Sequence, residues 1–170
     1  MLATHLDAER RYNDLRRVAY ETAQMGAAPG VRFTGITADA LSSARAWASS
    51  PIRQVAWDWF DGYSAFRFRY PKRFELALWS ANRLLALSLG RPTYNGNHLR
   101  LDLVEAQPRD LGPRPPVLPD ILVAYIIYAR LLDARQIRIM HPINDDVTRY
   151  YESFGYRYIA SGDYLFREMP

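Results

Sequence analysis

Two adjacent phenols, Tyr150 and Tyr151, sit inside the run Asn144-Asp145-Asp146-Val147-Thr148-Arg149-Tyr150-Tyr151-Glu152-Ser153-Phe154-Gly155-Tyr156. The run reads as a short helix that ends on a glycine and hands over to an aromatic strand. A phenol with an ordinary pKa of about 10 keeps its proton at neutral pH and can donate it to a stronger base. Two carboxylates, Asp102 and Glu105, lie on the apolar run Leu99 to Ala106. Under strict alternation Glu105 falls on the same face as Leu99, Leu101 and Leu103, so it is either displaced by a bulge or partly buried. Burial would raise its pKa toward the range of a general base. His98 and His141, near strand ends, titrate in the right range for proton transfer. Together these groups could run an acid–base reaction.

Several other chemistries are excluded. The chain has no cysteine, hence no disulfide, thiolate metal site or thiol nucleophile. No Gly-x-Ser-x-Gly elbow, His-Glu-x-x-His pair, P-loop or dinucleotide fingerprint occurs. At 170 residues, with 49% hydrophobic and 24% charged residues, the chain can build one real core. Its longest apolar run, Ile121 to Leu132, is broken by Tyr125, Tyr128 and Arg130 and falls short of a membrane span. No signal peptide is read at the N-terminus, and a cytoplasmic bacterial protein is expected. The net charge is +4, and Lys72 is the lone lysine among 22 basic residues. That bias fits an arginine-favouring genome better than a function.

The elements that must position these groups can be read along the chain. A helix is expected over 6–25, a short strand over 31–33, and a helix over 38–49 with Thr37 as its N-cap. Ser50-Pro51 predicts another helix, with Ile52, Val55, Ala56, Trp59, Phe60 and Tyr63 on its inner face. Strands are expected over 74–79, 84–89 and 99–106, the last two joined through Asn95-Gly96. An apolar helix over 120–132, a strand over 136–140, a helix over 145–154 and a closing hairpin complete the order. Strand, helix and strand through 99–140 form a crossover unit, which makes the central pair parallel. The fold class is α+β: a mixed, mostly antiparallel central sheet with helices on both faces.

Both the order of elements and the spacing Asn-x-x-small-x-x-x-Tyr-x-x-x-Gly-aromatic resemble the Gcn5-related N-acetyltransferases. The resemblance covers residues 37–168 of a single domain, with 1–36 as a helix and loop ahead of it. It implies a splayed parallel strand pair and an acyl-CoA-dependent N-acyltransferase in which acetyl-CoA is cosubstrate. Tyr151 would then protonate the departing thiolate and Glu105 would serve as base. Asn144 would touch the pantetheine arm, and the strand backbone around Val104 and Ala106 would hold the acyl and pantetheine groups. Gly155 is assigned structure, as a helix end at positive φ. The region Trp57-Asp58-Trp59-Phe60 falls where the family lines its acceptor site.

The expected phosphate loop departs from the family pattern. Arg109-x-x-Gly112 fits its first half, but Arg114 replaces the second small residue. Pro113, Pro115, Pro116 and Pro119 remove N–H donors from the place that needs them. Arg109 and Arg114 could supply charge-assisted contacts in their stead. The second reading is therefore a silent member that keeps the fold as a binding module. The expected acceptor is a small-molecule or peptide amine, with no membrane involved. Exposed aromatics on the closing hairpin permit a homodimer, and nucleic acid ranks last among the partners the sequence suggests.

Overall fold

The computed structural model describes residues 4–170. Its centre is a seven-stranded sheet in the order β1-β2-β3-β4-β5-β7-β6. The strands are β1 Val31–Thr34, β2 Phe74–Ser80, β3 Arg83–Pro92, β4 His98–Ala106, β5 Gln136–Met140, β6 Arg157–Ile159 and β7 Tyr164–Glu168. Every neighbour pair is antiparallel except β4 and β5, which run parallel. The crossover between them is α4, Leu118–Leu131, as a parallel pair requires. The remaining helices are α1 His5–Met25, α2 Ala38–Ala44, α3 Asp61–Arg69 and α5 Asp145–Glu152. Among the described residues, no helix is long and apolar enough to cross a membrane.

Two cores lie on opposite faces of the sheet. On one, Ala19 and Ala23 of α1 and Ile121, Tyr125 and Tyr128 of α4 pack on Phe74, Leu76, Leu99, Leu101, Ile137 and Ile139. On the other, Ala40 of α2, Trp47, Trp59 and Tyr63 of α3 pack on Ala77, Trp79, Leu87 and Leu89. Residues 5–34 belong to this body: β1 pairs with β2, and α1 shares the first core with α4.

Local chemistry accounts for most boundaries. The Thr37 hydroxyl accepts from the Ala40 N–H and caps α2, which tightens into a 3₁₀ turn over Arg45–Ser49. Thr4 and Asp7 form a reciprocal capping box on α1. Gly155, at φ +84°, turns the chain out of α5.

The helix expected from Pro51 does not form. Residues 50–60 run as an irregular strap, and α3 begins only at Asp61, where Asp58 Oδ1 accepts from the N–H groups of Phe60 and Asp61. The reason lies in two side chains of the strap, Arg53 and Trp59, which both bond the carboxylate of Glu105. Residues six apart lie on different sides of a helix, so a helix could not deliver both to one point. Hydrogen bonds to a buried charge outweigh a modest helix preference.

A bulge in β4 positions the site. Leu89 pairs with Leu103 but Gly90 pairs with Leu101, so Asp102 is the extra residue. The bulge reverses the alternation. Leu99 and Leu101 belong to the α4-side core, whereas Leu103 joins the α3-side core and Val104 and Ala106 pack on the α4 side. Opposite the bulge, a Cβ on Gly90 would stand 2.0 Å from the Arg100 carbonyl oxygen and 2.8 Å from Tyr125. Gly90→Ala is expected to lower unfolding stability by about 2–3 kcal/mol, measured by urea denaturation. A loss below about 0.5 kcal/mol would mean the bulge is not held as described.

Candidate active site

The strand pair at the centre of the sheet opens like a fork. β4 and β5 are in register from His98 and Gln136 to Leu101 and Ile139, and no further. β4 continues to Ala106 without a β5 partner. Along that unpaired stretch lies a cleft of about 640 Å³. One wall is β4 from Leu101 to Ala106; the other is the end of β5 with Val147, Tyr150 and Tyr151 of α5. The strap closes one side with Ile52, Arg53 and Trp57, and the turn before α4 closes the other with Arg114, Pro116 and Val117.

Helix α5 aims its tyrosines by periodicity. Asn144 Oδ1 accepts from the Val147 N–H at 2.9 Å and starts the helix. Val147 and Tyr151, four apart, share the inward face. Tyr151 is buried with only 7% exposed, whereas Tyr150 stands at 45%. Burial pushes the Tyr151 phenol well above its ordinary value, with smaller contributions from Tyr156 and Tyr150. The Tyr156 ring meets the Tyr151 ring edge-on at 6.5 Å. Burial carries Tyr156 up to about 12, and its hydroxyl is buried without a partner. Both phenols therefore hold their protons across the physiological range.

Glu105 lies in the cleft wall and is buried at 4% exposure. Its carboxylate accepts from Arg53 Nε at 2.6 Å and Nη2 at 3.0 Å, and from Trp59 Nε1 at 2.6 Å. A bidentate guanidinium plus an indole occupy most of its lone-pair directions. The expectation that burial would ready Glu105 as a base left these partners out. Its geometry is that of an anchor for the strap. Asp102 also lines the cleft, but Arg100 donates to its Oδ1 at 2.6 and 2.9 Å. His98 sits outside the lining, and burial, followed by Arg138, pushes its pKa down. His141 is in the lining, at φ +50°, with Nδ1 3.0 Å from Asp163 Oδ2 and its N–H bonded to the Asp163 carbonyl.

The residues read as cofactor-binding divide. Val104, Ala106, Arg109 and Arg114 line the cleft. Asn144 and Gly112 fall outside its lining: Asn144 Oδ1 caps α5, and a Cβ on Gly112 would come within 2.7 Å of the end of the Arg83 side chain. Gly112 holds φ +145°, a backbone conformation that favours glycine. Between Pro113 and Pro119 only Arg114, Val117 and Leu118 carry backbone N–H groups. Arg114 Nε donates to the Gln107 carbonyl and Arg109 Nη1 to the Arg114 carbonyl, so two guanidiniums crowd one corner of the cleft. Burial and then Arg109 disfavour the charged form of Arg114. An anion between the two would relieve that repulsion. The donor set thus fits a pyrophosphate through side chains in place of the missing amides.

No protein-family model matches the chain, and no curated protein matches it by sequence. Solved structures do match it in shape. Ard1 from Thermoplasma volcanium superposes with a TM-score of 0.61 at 14% identity, covering 83% of this chain and 99% of that one. A mutant of spermidine N-acetyltransferase SpeG from Vibrio cholerae gives 0.60 at 9% identity, over 84% and 95%. Arabidopsis thaliana Naa50, in complex with the bisubstrate analogue CoA-Ac-MVNAL, gives 0.56 at 13%, over 81% and 96%. With the sheet order and the single forked parallel pair, these similarities show that the chain has the Gcn5-related N-acetyltransferase fold.

Proposed function

We propose that the protein is an acyl-CoA-dependent N-acyltransferase that moves an acetyl group from acetyl-CoA to an amine by direct attack. The observation that carries this reading is the open cleft at the fork of β4 and β5 with the Tyr151 phenol in its wall. Acetyl-CoA, the cosubstrate, supplies the activated thioester. Arg109 and Arg114 would hold its pyrophosphate, and the free edge of β4 at Val104 and Ala106 would pair with its pantetheine arm. The amine nitrogen attacks the thioester carbonyl carbon, and a β4 backbone N–H stabilises the oxygen as charge builds there. The C–S bond breaks, and Tyr151 gives its proton to the leaving sulfur. Burial makes a bare thiolate costly, which drives the leaving sulfur to take a proton as the C–S bond breaks. The proton shed by nitrogen would leave on the side of His141, which lines the cleft with its Nδ1 3.0 Å from Asp163 Oδ2.

The acceptor would enter from the strap, past Trp57, which is 41% exposed in the cleft wall. In this scheme Glu105 is a positioning residue that fixes Arg53 and Trp59. Neighbours with the same fold act on amines of different size, spermidine for SpeG and, by its analogue, a peptide for Naa50. A small-molecule or peptide amine is the acceptor class we propose here. Glu105→Gln should raise the acceptor KM by about tenfold and change kcat by less, with the pH–rate profile unshifted. A kcat loss of about 10²-fold with loss of the acidic limb would make Glu105 the base instead.

Calorimetric titration with acetyl-CoA tests the function directly. Saturable binding that weakens on Arg114→Ala supports the transferase. Absence of binding at millimolar ligand would leave the fold as a binding module.

A further inference from the structure

One row of residues crosses five strands in unbroken register. Arg91 of β3 pairs with Arg100 of β4, Arg100 with Arg138 of β5, Arg138 with Phe166 of β7, and Phe166 with Arg157 of β6. Directly paired residues point to the same face of a sheet, so four guanidinium side chains line up on one surface. At about 4.8 Å between strands the row is about 19 Å long. It lies on the α3 side, where Arg91 rests over the Tyr70 ring at 4.3 Å. The helices and strap of that side pack over β2 and β3, and the buried α3-side core takes no residue from β5, β6 or β7. This half of the face is correspondingly open: Arg91, Arg100, Arg138 and Phe166 are half-buried and Arg157 is exposed.

Aromatic rings are interleaved with the charges. The Arg138 guanidinium lies 4.9 Å over the Tyr164 ring and that of Arg157 5.0 Å over the Phe166 ring. One carboxylate, Asp102, is shared by Arg100 and Arg91, and Glu168 lies at the edge, bonded to Gln136. Arg138 bonds the Gln136 amide oxygen rather than an acid. Four cations against Asp102 in the row and Glu168 beside it leave a net basic strip that the Gln136 amide and the rings position but do not neutralise.

We propose that this row is a docking track for single-stranded nucleic acid. Guanidiniums in a line match a run of phosphates by bidentate contacts. Rings and ring-stacked guanidiniums between them offer faces to unpaired bases. An acidic peptide would satisfy the charges and leave the aromatics unused. The length of the row suits a strand at the short end of the roughly 4–16 nucleotides that open-sheet binders take. The track is independent of acyl transfer. The arginines of the row lie far apart in sequence, at 91, 100, 138 and 157, and form no cluster there. Only strand register gathers them.

The test is fluorescence anisotropy of a labelled 12-nucleotide single-stranded RNA and its DNA counterpart, titrated with the full chain from 50 to 200 mM salt. Saturable binding is expected, with log Kobs falling linearly against log salt. The double variant Arg138→Ala/Arg157→Ala should weaken binding at least tenfold at 50 mM salt and reduce the slope by about 1.4, at roughly 0.7 per phosphate contact. The charge-preserving pair Arg138→Lys/Arg157→Lys should keep the slope and lose part of the affinity. Binding of either strand bears the proposal out, and their ratio reports whether the 2′-hydroxyl is read. No saturable binding at 100 μM protein, an unchanged slope in the alanine pair, or equal competition by polyglutamate would overturn it. Far-UV circular dichroism and thermal melts of the same variants, independent of any ligand, show that they remain folded.

Discussion

Tyr151→Phe is expected to lower kcat by about 10²–10³-fold while leaving the KM for acetyl-CoA within about threefold. The substitution removes one oxygen and keeps the ring that packs against Tyr156 and fills the α5 face. Folding is therefore preserved, and melting temperature should move by no more than a few degrees. Loss of a proton donor acts on the step in which sulfur departs and not on the ground-state complex, so the defect belongs in kcat. Poor thiols as leaving groups should suffer most: an acyl donor with an acidic thiol needs no donor and should recover much of the rate. Tyr150→Phe serves as control. Tyr150 is half exposed, its ring meets Phe154, and it should stay within about twofold of the parent. Equal activities for the Tyr151 variant and the parent would remove the phenol from the mechanism.

The fold was largely legible because its signals are local. β5 falls on 136–140 as its alternation predicts, and Thr37 and Asn144 cap the helices they precede. The parallel pair followed from the length of the crossover. What failed was the helix after Pro51, where local preference met a long-range demand. Nothing between residues 50 and 60 announces that Arg53 and Trp59 share a carboxylate some fifty positions later.

The site was legible in part, and the same distinction explains which part. Tyr151 is read from its match to the family spacing Asn-x-x-small-x-x-x-Tyr, and the structure puts it in the cleft wall with Val147. Glu105 could be placed near the cleft, but its role depends on partners brought by tertiary structure. Gly112 falls outside the cleft lining, beside the Arg83 guanidinium, which no local pattern signals. Arg53 gave no signal in a chain this rich in arginine. The bulge at Asp102 was anticipated only as one of two explanations for a carboxylate on an apolar face. In the structure both hold: the register shifts, and Glu105 is buried.

Arg73→Ala should cost about 3–5 kcal/mol of stability, enough to unfold a domain of ordinary margin near its upper working temperature. Arg73 is 1% exposed and donates to Glu75 through Nε and to Glu9 at 2.8 and 2.9 Å. Glu9 also receives Arg16 at 2.8 Å, and Arg16 in turn holds the Pro71 and Arg73 carbonyls. Glu75 takes the Tyr63 hydroxyl at 2.8 Å. This network ties α1 and α3 to the start of β2. Removing the arginine leaves the Glu75 side chain buried and bonded to a single phenol. Burial alone would raise the Glu9 carboxyl, but Arg73 and then Arg16 overcome it and hold Glu9 below its ordinary value. A carboxyl with a lowered folded pKa stabilises above its unfolded value of about 4.3 and loses that contribution as pH falls through the folded value. Unfolding free energy should therefore drop below about pH 4 in the parent, and less steeply in Arg73→Ala. Replacing both partners, as Arg73→Met/Glu75→Met, should recover part of the loss, since the penalty lies in stranding one charge rather than in lacking the pair. A double variant no more stable than Arg73→Ala would show that the arginine acts through packing instead.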